Sequence, residues 1–259
     1  MEDHQALKKV VDKSGFPLQI AIEHLVSENS RNLGWRVQYI EHAWRNDLSN
    51  NDGFIDLVLE NTSRTLALVV ECKRVQDASW IFLNRGNKRS NRRVAKRWVS
   101  TYEGDKISHF GWEQSALDPA SVQSDYCCVF GQDSKSQPML ERIGATLVSS
   151  TEALAKEEAV TLLCDKWNFR SYINVVVTTA KLKVCCFDPA DISVSDGMLE
   201  SCDFHEVPYV RFQKQLSTQF PSSLDFQVGN SHEISVAKEN TVFVVNSQHM
   251  LAFIEALNG

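Results

Sequence analysis

Glycine and proline are scarce in this chain, 11 and 6 in 259 residues, and no segment is dominated by either, which excludes a collagenous or low-complexity protein. No apolar stretch is long enough to span a bilayer. The start, Met1-Glu2-Asp3-His4-Gln5, lacks the basic-then-apolar layout of a signal peptide, so neither a secretory leader nor a membrane partner is expected. The seven cysteines are an odd number without a C-x-x-C pair, and several fall in apolar runs such as Cys127-Cys128 and Cys185-Cys186. They read as reduced core thiols, and the expected compartment is the cytoplasm. Catalytic signatures are missing too. No G-x-x-x-x-G-K-[ST] loop, G-x-S-x-G elbow or H-E-x-x-H helix occurs, so a self-contained P-loop motor, a serine hydrolase of that type and a zincin are excluded. Without clustered Cys and His, zinc is not expected, and His109 and His205 read as surface or core residues.

What the chain has is an ordinary globular composition, 43% hydrophobic and 23% charged, with a net charge of −6. The charge is unevenly spread. Arg85, Lys88, Arg89, Arg92, Arg93, Lys96 and Arg97 lie within thirteen residues that contain no acid, leaving 20 basic against 33 acidic residues elsewhere. Such a run is either a solvated face or a place where a polyanion is held against an otherwise repelling body. Arg74, Lys88, Arg89, Arg92, Arg93, Lys96 and Arg97 are therefore the candidate nucleic-acid contacts. Trp98 and Tyr102 are either core residues or bases' stacking partners.

Periodicity sets the element order. Pro17 in a first-turn position and the stripe Leu18, Ile22, Leu25, Val26 predict a helix over about 17–31, ended by Gly34. Trp35 to Ile40 alternates as a strand. Phe54 to Leu59 and Leu66 to Lys73 follow as a hairpin of half-buried strands. Val94, Trp98 and Tyr102, four apart, suggest a helix within a basic insertion at about 80–130. A short strand is expected at Tyr126–Phe130, a long helix from Leu140 to about Trp167, and strands at Tyr172–Thr178 and Leu182–Phe187. Near the end come a strand at Tyr209–Phe212, a loop-like stretch over 221–240, a strand at Thr241–Val245, a Ser247 cap and a last helix to Leu257. This order predicts an α/β fold with a mixed sheet, in which residues 1–180 form a core and 181–259 a C-terminal α/β extension of the same domain.

The hairpin carries the chemistry. Strand side chains alternate faces, so Glu71 and Lys73 point one way and Cys72 the other. Two carboxylates and an ammonium at the end of such a hairpin are costly to bury unless they bind something, and a divalent metal beside a water or phosphate would offset that cost. The alternative is a surface-facing hairpin end on which Lys73 simply pairs with Glu71.

A helix bearing Glu23, a strand, Asp56, a gap of fifteen and then Glu71-Cys72-Lys73 resembles the PD-(D/E)xK nuclease superfamily. Ile55 stands where the motif's proline would be, a departure that leaves the carboxylate chemistry intact. The resemblance implies a restriction-endonuclease-like αβββαβ sheet core flanked by helices. It implies Asp56, Glu71 and the Cys72 carbonyl as ligands of Mg²⁺, with Mn²⁺ as a substitute, Glu23 as a further ligand, and Lys73 as the residue that orients or deprotonates the attacking water or stabilises charge on the phosphate. Glu41 and Asp52 are secondary candidates for the cluster. The implied function is a metal-dependent nuclease cutting DNA, with RNA also admissible, in restriction or antiviral defence, as a homodimer or with a separate motor or recognition subunit. The alternative is an inactive nucleic-acid-binding or partner module. The presence of all three motif residues favours catalysis.

Overall fold

The runs rich in Val, Ile and Leu form strands, because branched side chains pack well on a pleated surface. The structure, a computed structural model, describes residues 4–47, 50–76, 78–86, 91–104, 106–130, 138–164, 168–217 and 231–257. In chain order these build α1 (His4–Lys13), α2 (Phe16–Leu33), β1 (Trp35–Asn46), β2 (Asn51–Asn61), β3 (Leu66–Lys73), β4 (Ser79–Arg85), β5 (Asn91–Glu103), β6 (Lys106–Ser124) and β7 (Cys127–Val129). Then follow α3 (Met139–Cys164), β8 (Phe169–Thr178), β9 (Lys181–Phe187), β10 (Asp203–Glu206), β11 (Tyr209–Gln215), α4 (Ser231–Lys238), β12 (Glu239–Asn246) and α5 (Met250–Leu257). Among the described residues no helix is long and apolar enough to cross a membrane.

Strand β8 is the seam of the molecule. Along one edge it pairs in parallel with β3, from Leu66↔Ser171 to Lys73↔Thr178. Its other edge is shared: the first half pairs with β5 (Trp98↔Tyr172 to Thr101↔Phe169) and the second half with β12 (Val242↔Asn174 to Asn246↔Thr178). Because β5 continues through β6 and β11 to β12, the strands β8, β5, β6, β11 and β12 close into a five-stranded barrel. On the β3 side the sheet runs on as an antiparallel meander, β3–β2–β1. A separate four-stranded sheet, β10–β9–β4–β7, grows from the chain segments that leave β3 and β8.

Two apolar layers flank the meander. Leu18, Ile22 and Val26 of α2 and Phe253 and Ile254 of α5 pack on Leu57, Leu68, Val70 and Val175. On the opposite face Leu147 and Leu154 of α3 share a cluster with Val58, Val69 and Val176, which also takes in Trp80, Phe82 and Leu182 of the smaller sheet. Gly34 ends α2 in a left-handed conformation (φ 67°), with its N–H on the Ser30 carbonyl, and turns the chain directly into β1.

A buried ionic hub ties α3 to these strands. Arg170, 1% exposed, donates to Glu158 at 2.9 and 3.2 Å, to Glu60 at 2.9 Å, to the Arg64 carbonyl at 2.9 Å and to Gln38 at 2.7 Å. Tyr172 donates to Glu158 at 2.7 Å, and Arg36 donates to Glu60 at 2.8 Å. The buried glutamates are thus each met by several donors, the condition under which buried charge is tolerated.

The expected α/β fold, a restriction-endonuclease-like αβββαβ sheet core flanked by helices with a C-terminal α/β extension, is overturned: the chain is mostly β, built on the closed barrel. The 91–124 region is the main physical reason. Residues four apart share a face in a helix and also in a strand, since four is a whole number of strand repeats. Val94, Trp98 and Tyr102 therefore fit either period, and their β-prone types go with the strand they form, β5. That strand and β6 make the long hairpin that closes the barrel, with the chain leaving β5 through Gly104 at φ 62°. Elsewhere, β1 runs to Asn46 and not only to Ile40, α1 precedes the first expected helix, and α4 occupies 231–238 of the stretch read as loop. Residues 165–167 and 221–230 lie outside the described residues. Asn246, one residue before the expected Ser247, caps the turn that leads to α5 by accepting the Gln248 N–H at 3.0 Å.

Removing the hub cation should cost far more than removing a surface one. Arg170→Met leaves Glu60 and Glu158 short of donors, and urea unfolding should show a loss of about 3–5 kcal/mol. Lys8→Ala, which breaks the exposed 2.5 Å pair with Asp12, should change stability by less than about 1 kcal/mol. Comparable losses for the two variants would show that the hub is not a fold determinant.

Candidate active site

One strand step beyond the Leu57↔Val70 pair, Asp56 of β2 and Glu71 of β3 lie opposite each other on the face that carries Val58 and Val69. On the other side of β2, Glu41 of β1 falls between the pairs Ile40↔Leu57 and His42↔Ile55, so it too is level with Asp56. Glu41 has φ 49°, a left-handed conformation that is strained for a residue with a Cβ. Carboxylate-bearing residues of three neighbouring strands thus lie level in the sheet, with Glu41 exposed.

The geometry holds Asp56 in place. Its Oδ2 accepts the Cys72 N–H at 2.6 Å, and its carbonyl accepts from Gln19 Nε2 of α2 at 3.1 Å. Burial pushes the Asp56 carboxyl up to about 6, and the charges of Glu71 and Glu41 add to the rise against the Cys72 N–H and Lys73, which lower it. Lys73 Nζ sits 2.5 Å from Glu71 Oε1, with side chains 37% and 18% exposed. That pair is the arrangement expected of a hairpin end on which Lys73 simply meets Glu71, but no ion pair among the described residues gives Asp56 or Glu41 a cation. Cys72 points the other way, 7% exposed, into the cluster under α2 and α5, and burial raises its thiol far above the ordinary value. Its side chain cannot serve the site; only its backbone can.

Glu23 lies one helical turn beyond Gln19 on α2, half-buried, and the charges that act on Asp56 come from Glu71, Lys73 and Glu41. The position anticipated for Glu23 is therefore filled more closely by Glu41. Asp52 is exposed near the far end of β2, opposite Arg45, well away from the cluster.

The donor set suits a hard divalent cation. Mg²⁺ takes one or two carboxylates, keeps several waters and accepts backbone carbonyls. Asp56, Glu71 and the carbonyl of Cys72 are of that kind. Among the described residues no group of three or more His, Cys, Asp or Glu side chains is arranged to hold a metal ion. A site of two carboxylates and a carbonyl falls below that number.

The basic residues read from the sequence do not form one face. Lys88 and Arg89 lie outside the described residues. Arg93 pairs with Asp118 at 3.0 Å. Lys96 is half-buried and donates to the carbonyls of Val236 and Ala237 at 3.1 and 2.6 Å, and burial lowers its ammonium to about 8. Arg97 lies over the Phe169 ring at 5.6 Å and is half-buried. Arg92 stays exposed on β5. Arg74 instead lines an open groove of roughly 610 Å³ with Gln76, Ser79, Thr179, Lys181 and Lys183, beginning one residue after Lys73. Lys181 and Lys183 escaped the sequence reading because they stand in an apolar strand pattern, with no run of like charge to mark them.

In comparisons with known proteins, the chain matches no protein-family model, no curated protein and no solved structure.

Asp56 should destabilise the metal-free protein. Its carboxyl titrates near 6 when folded against an ordinary 3.8, so the folded state holds the proton more tightly and stability falls as pH rises through that window. Asp56→Asn keeps an acceptor for the Cys72 N–H and removes the charge. With allowance for partial exposure, urea unfolding in EDTA should show a gain of about 1–2 kcal/mol at about pH 7.5 that disappears near pH 4. A loss of stability at the higher pH would contradict the electrostatic account.

Proposed function

We propose that this protein is a metal-dependent nuclease that hydrolyses DNA phosphodiester bonds at Asp56, Glu71 and Lys73. The observation that carries the reading is the juxtaposition of Asp56 and Glu71 on adjacent strands, with Asp56 held by backbone and Gln19 in a place that raises its pKa. Structural ion pairs are normally arranged to neutralise, as at Arg170; this cluster carries an excess of negative charge that a cation would complete. The likeness of Asp56 and Glu71-Cys72-Lys73 to the PD-(D/E)xK motif supports the reading at the level of residues.

Asp56, Glu71 and the Cys72 carbonyl would hold the Mg²⁺ ion. When bound, such an ion supplies Lewis-acid polarisation of the phosphate and a lowered water pKa. The chain's own residues supply the rest. The Cys72 N–H donates to Asp56 Oδ2 and fixes the carboxylate's orientation, and Oδ1 would be the oxygen offered to the ion. Lys73, beside Glu71, would bring a cation to the scissile phosphate and to charge developing on it, and would orient the attacking water. Alternation along β3 puts Glu71 and Lys73 on one side and keeps Cys72 out of the reaction.

Plasmid nicking tests this directly. Cutting should need Mg²⁺ or Mn²⁺, and Asp56→Ala, Glu71→Ala and Lys73→Ala should each lower the rate by about 10²-fold or more. Metal-dependent cutting that survives these changes would sink the assignment. Salt-dependent DNA binding with no cutting by the wild type would favour a binding module instead.

A further inference from the structure

Three cations meet in a place where the sequence alone showed only one. The chain leaves β3 through Arg74 and leaves β8 through Thr179, and these two exits run side by side into the paired strands β4 and β9, with Ser79↔Lys181 and Ile81↔Lys183 in register. Thr179 straps the exits together: its hydroxyl accepts the Val75 N–H at 2.9 Å and donates to the Val75 carbonyl at 2.9 Å. The groove between them is the one of roughly 610 Å³ lined by Arg74, Lys181 and Lys183.

The alternation of β9 determines what the groove presents. Leu182 and Val184 are fully buried against the core, so Lys181 and Lys183 project from the opposite face, the first exposed and the second half-buried. No ion pair with a described residue involves Arg74, Lys181 or Lys183. Glu206 lies across from Lys183 on β10 and is exposed. In contrast, Arg93, Lys96 and Arg97 on β5 are committed to an aspartate, two carbonyls and a ring-and-hydroxyl contact. Uncommitted cations along a strapped, open groove make an electrostatic track for a polyanion. Because Arg74 follows Lys73 directly, the track leads into the acidic cluster.

We infer that the groove of Arg74, Lys181 and Lys183 grips successive phosphates of the DNA strand and delivers one of them to Asp56, Glu71 and Lys73, and that β5 does not do this. The inference rests on the nuclease reading for the identity of the ligand. It differs from that reading in saying which surface holds the substrate. Lys181 and Lys183 are positioning residues here, and they act on binding and on salt dependence.

The test measures binding of a fluorescent oligonucleotide, single-stranded and duplex, in EDTA so that no cutting occurs. Its proteins are the wild type, the Lys181→Ala/Lys183→Ala double variant, Arg74→Ala, and Arg92→Ala/Arg93→Ala as the β5 control. The groove double variant should bind at least tenfold more weakly. Its plot of log affinity against log salt should be shallower by about 1.4 for single strands or about 1.8 for duplex, as expected for two lost phosphate contacts. Arg74→Ala should weaken binding with an unchanged melting temperature, and the β5 variant should bind within threefold of the wild type. Wild-type affinity and slope in the groove variants, or equal losses in groove and β5 variants, would overturn the inference. So would a wild type that binds neither oligonucleotide. Groove-dependent binding by a protein that never cuts with Mg²⁺ would remove the nuclease reading and leave the groove standing. Cutting lost in Asp56→Ala but indifferent to the groove variants would do the reverse.

Discussion

Everything near the candidate site depends on how β2, β3 and β8 dispose of buried charge. Glu60 and Asp56 sit on the same face of β2, about 13 Å apart at a strand's rise per residue. At one end, Glu60 shares Arg170 with Glu158 and receives Arg36 as well, so a charge that is 2% exposed is fully met by donors. At the other end, Asp56 faces Glu71 and lies level with Glu41, and Lys73 is the cation that pairs with Glu71 and acts on Asp56. Neutralisation at the first end fixes α3 against the meander. That fixed frame is what allows an excess of like charge to persist at the second end, because strain at one place is tolerated when the surroundings over-determine it.

The barrel and the meander play different parts in this. Pairing with β3 along its whole length makes β8 the wall on which Glu71 and Lys73 are presented, in register with Val176 and Thr178. Its division between β5 and β12 on the other edge closes the barrel, and Glu71 lies two residues before the end of β3, where both chain exits emerge. The site is therefore built on strands, the elements that hold side chains most firmly, while the groove beside it comes from the segments that join the two sheets.

Much of this was readable in the residues. Val- and Ile-rich runs marked β2, β3 and β8, Pro17 and Gly34 bounded α2 to within a few residues, and alternation assigned Glu71 and Lys73 to one face with Cys72 opposite. Two things were not. The four-residue spacing of Val94, Trp98 and Tyr102 is common to both periods, so the hairpin that closes the barrel read as a helix, and with it the fold class was misassigned. Proximity across strands is also invisible locally. Glu23 ranked ahead of Glu41 on paper, and only the pairing of β1 with β2 brings Glu41 level with Asp56. For the same reason the run at 85–97 looked like one basic patch, although a strand sends neighbouring side chains to opposite faces and so breaks it up.

A crystal structure of the protein soaked in Mn²⁺ tests the central claim most directly, because anomalous scattering locates the ion without reference to activity. The account predicts an ion held by Asp56, Glu71 and the carbonyl of Cys72, with the Lys73 ammonium beside it. Saturating Mn²⁺ that leaves this position empty, with Glu71 still closed on Lys73, would contradict the account.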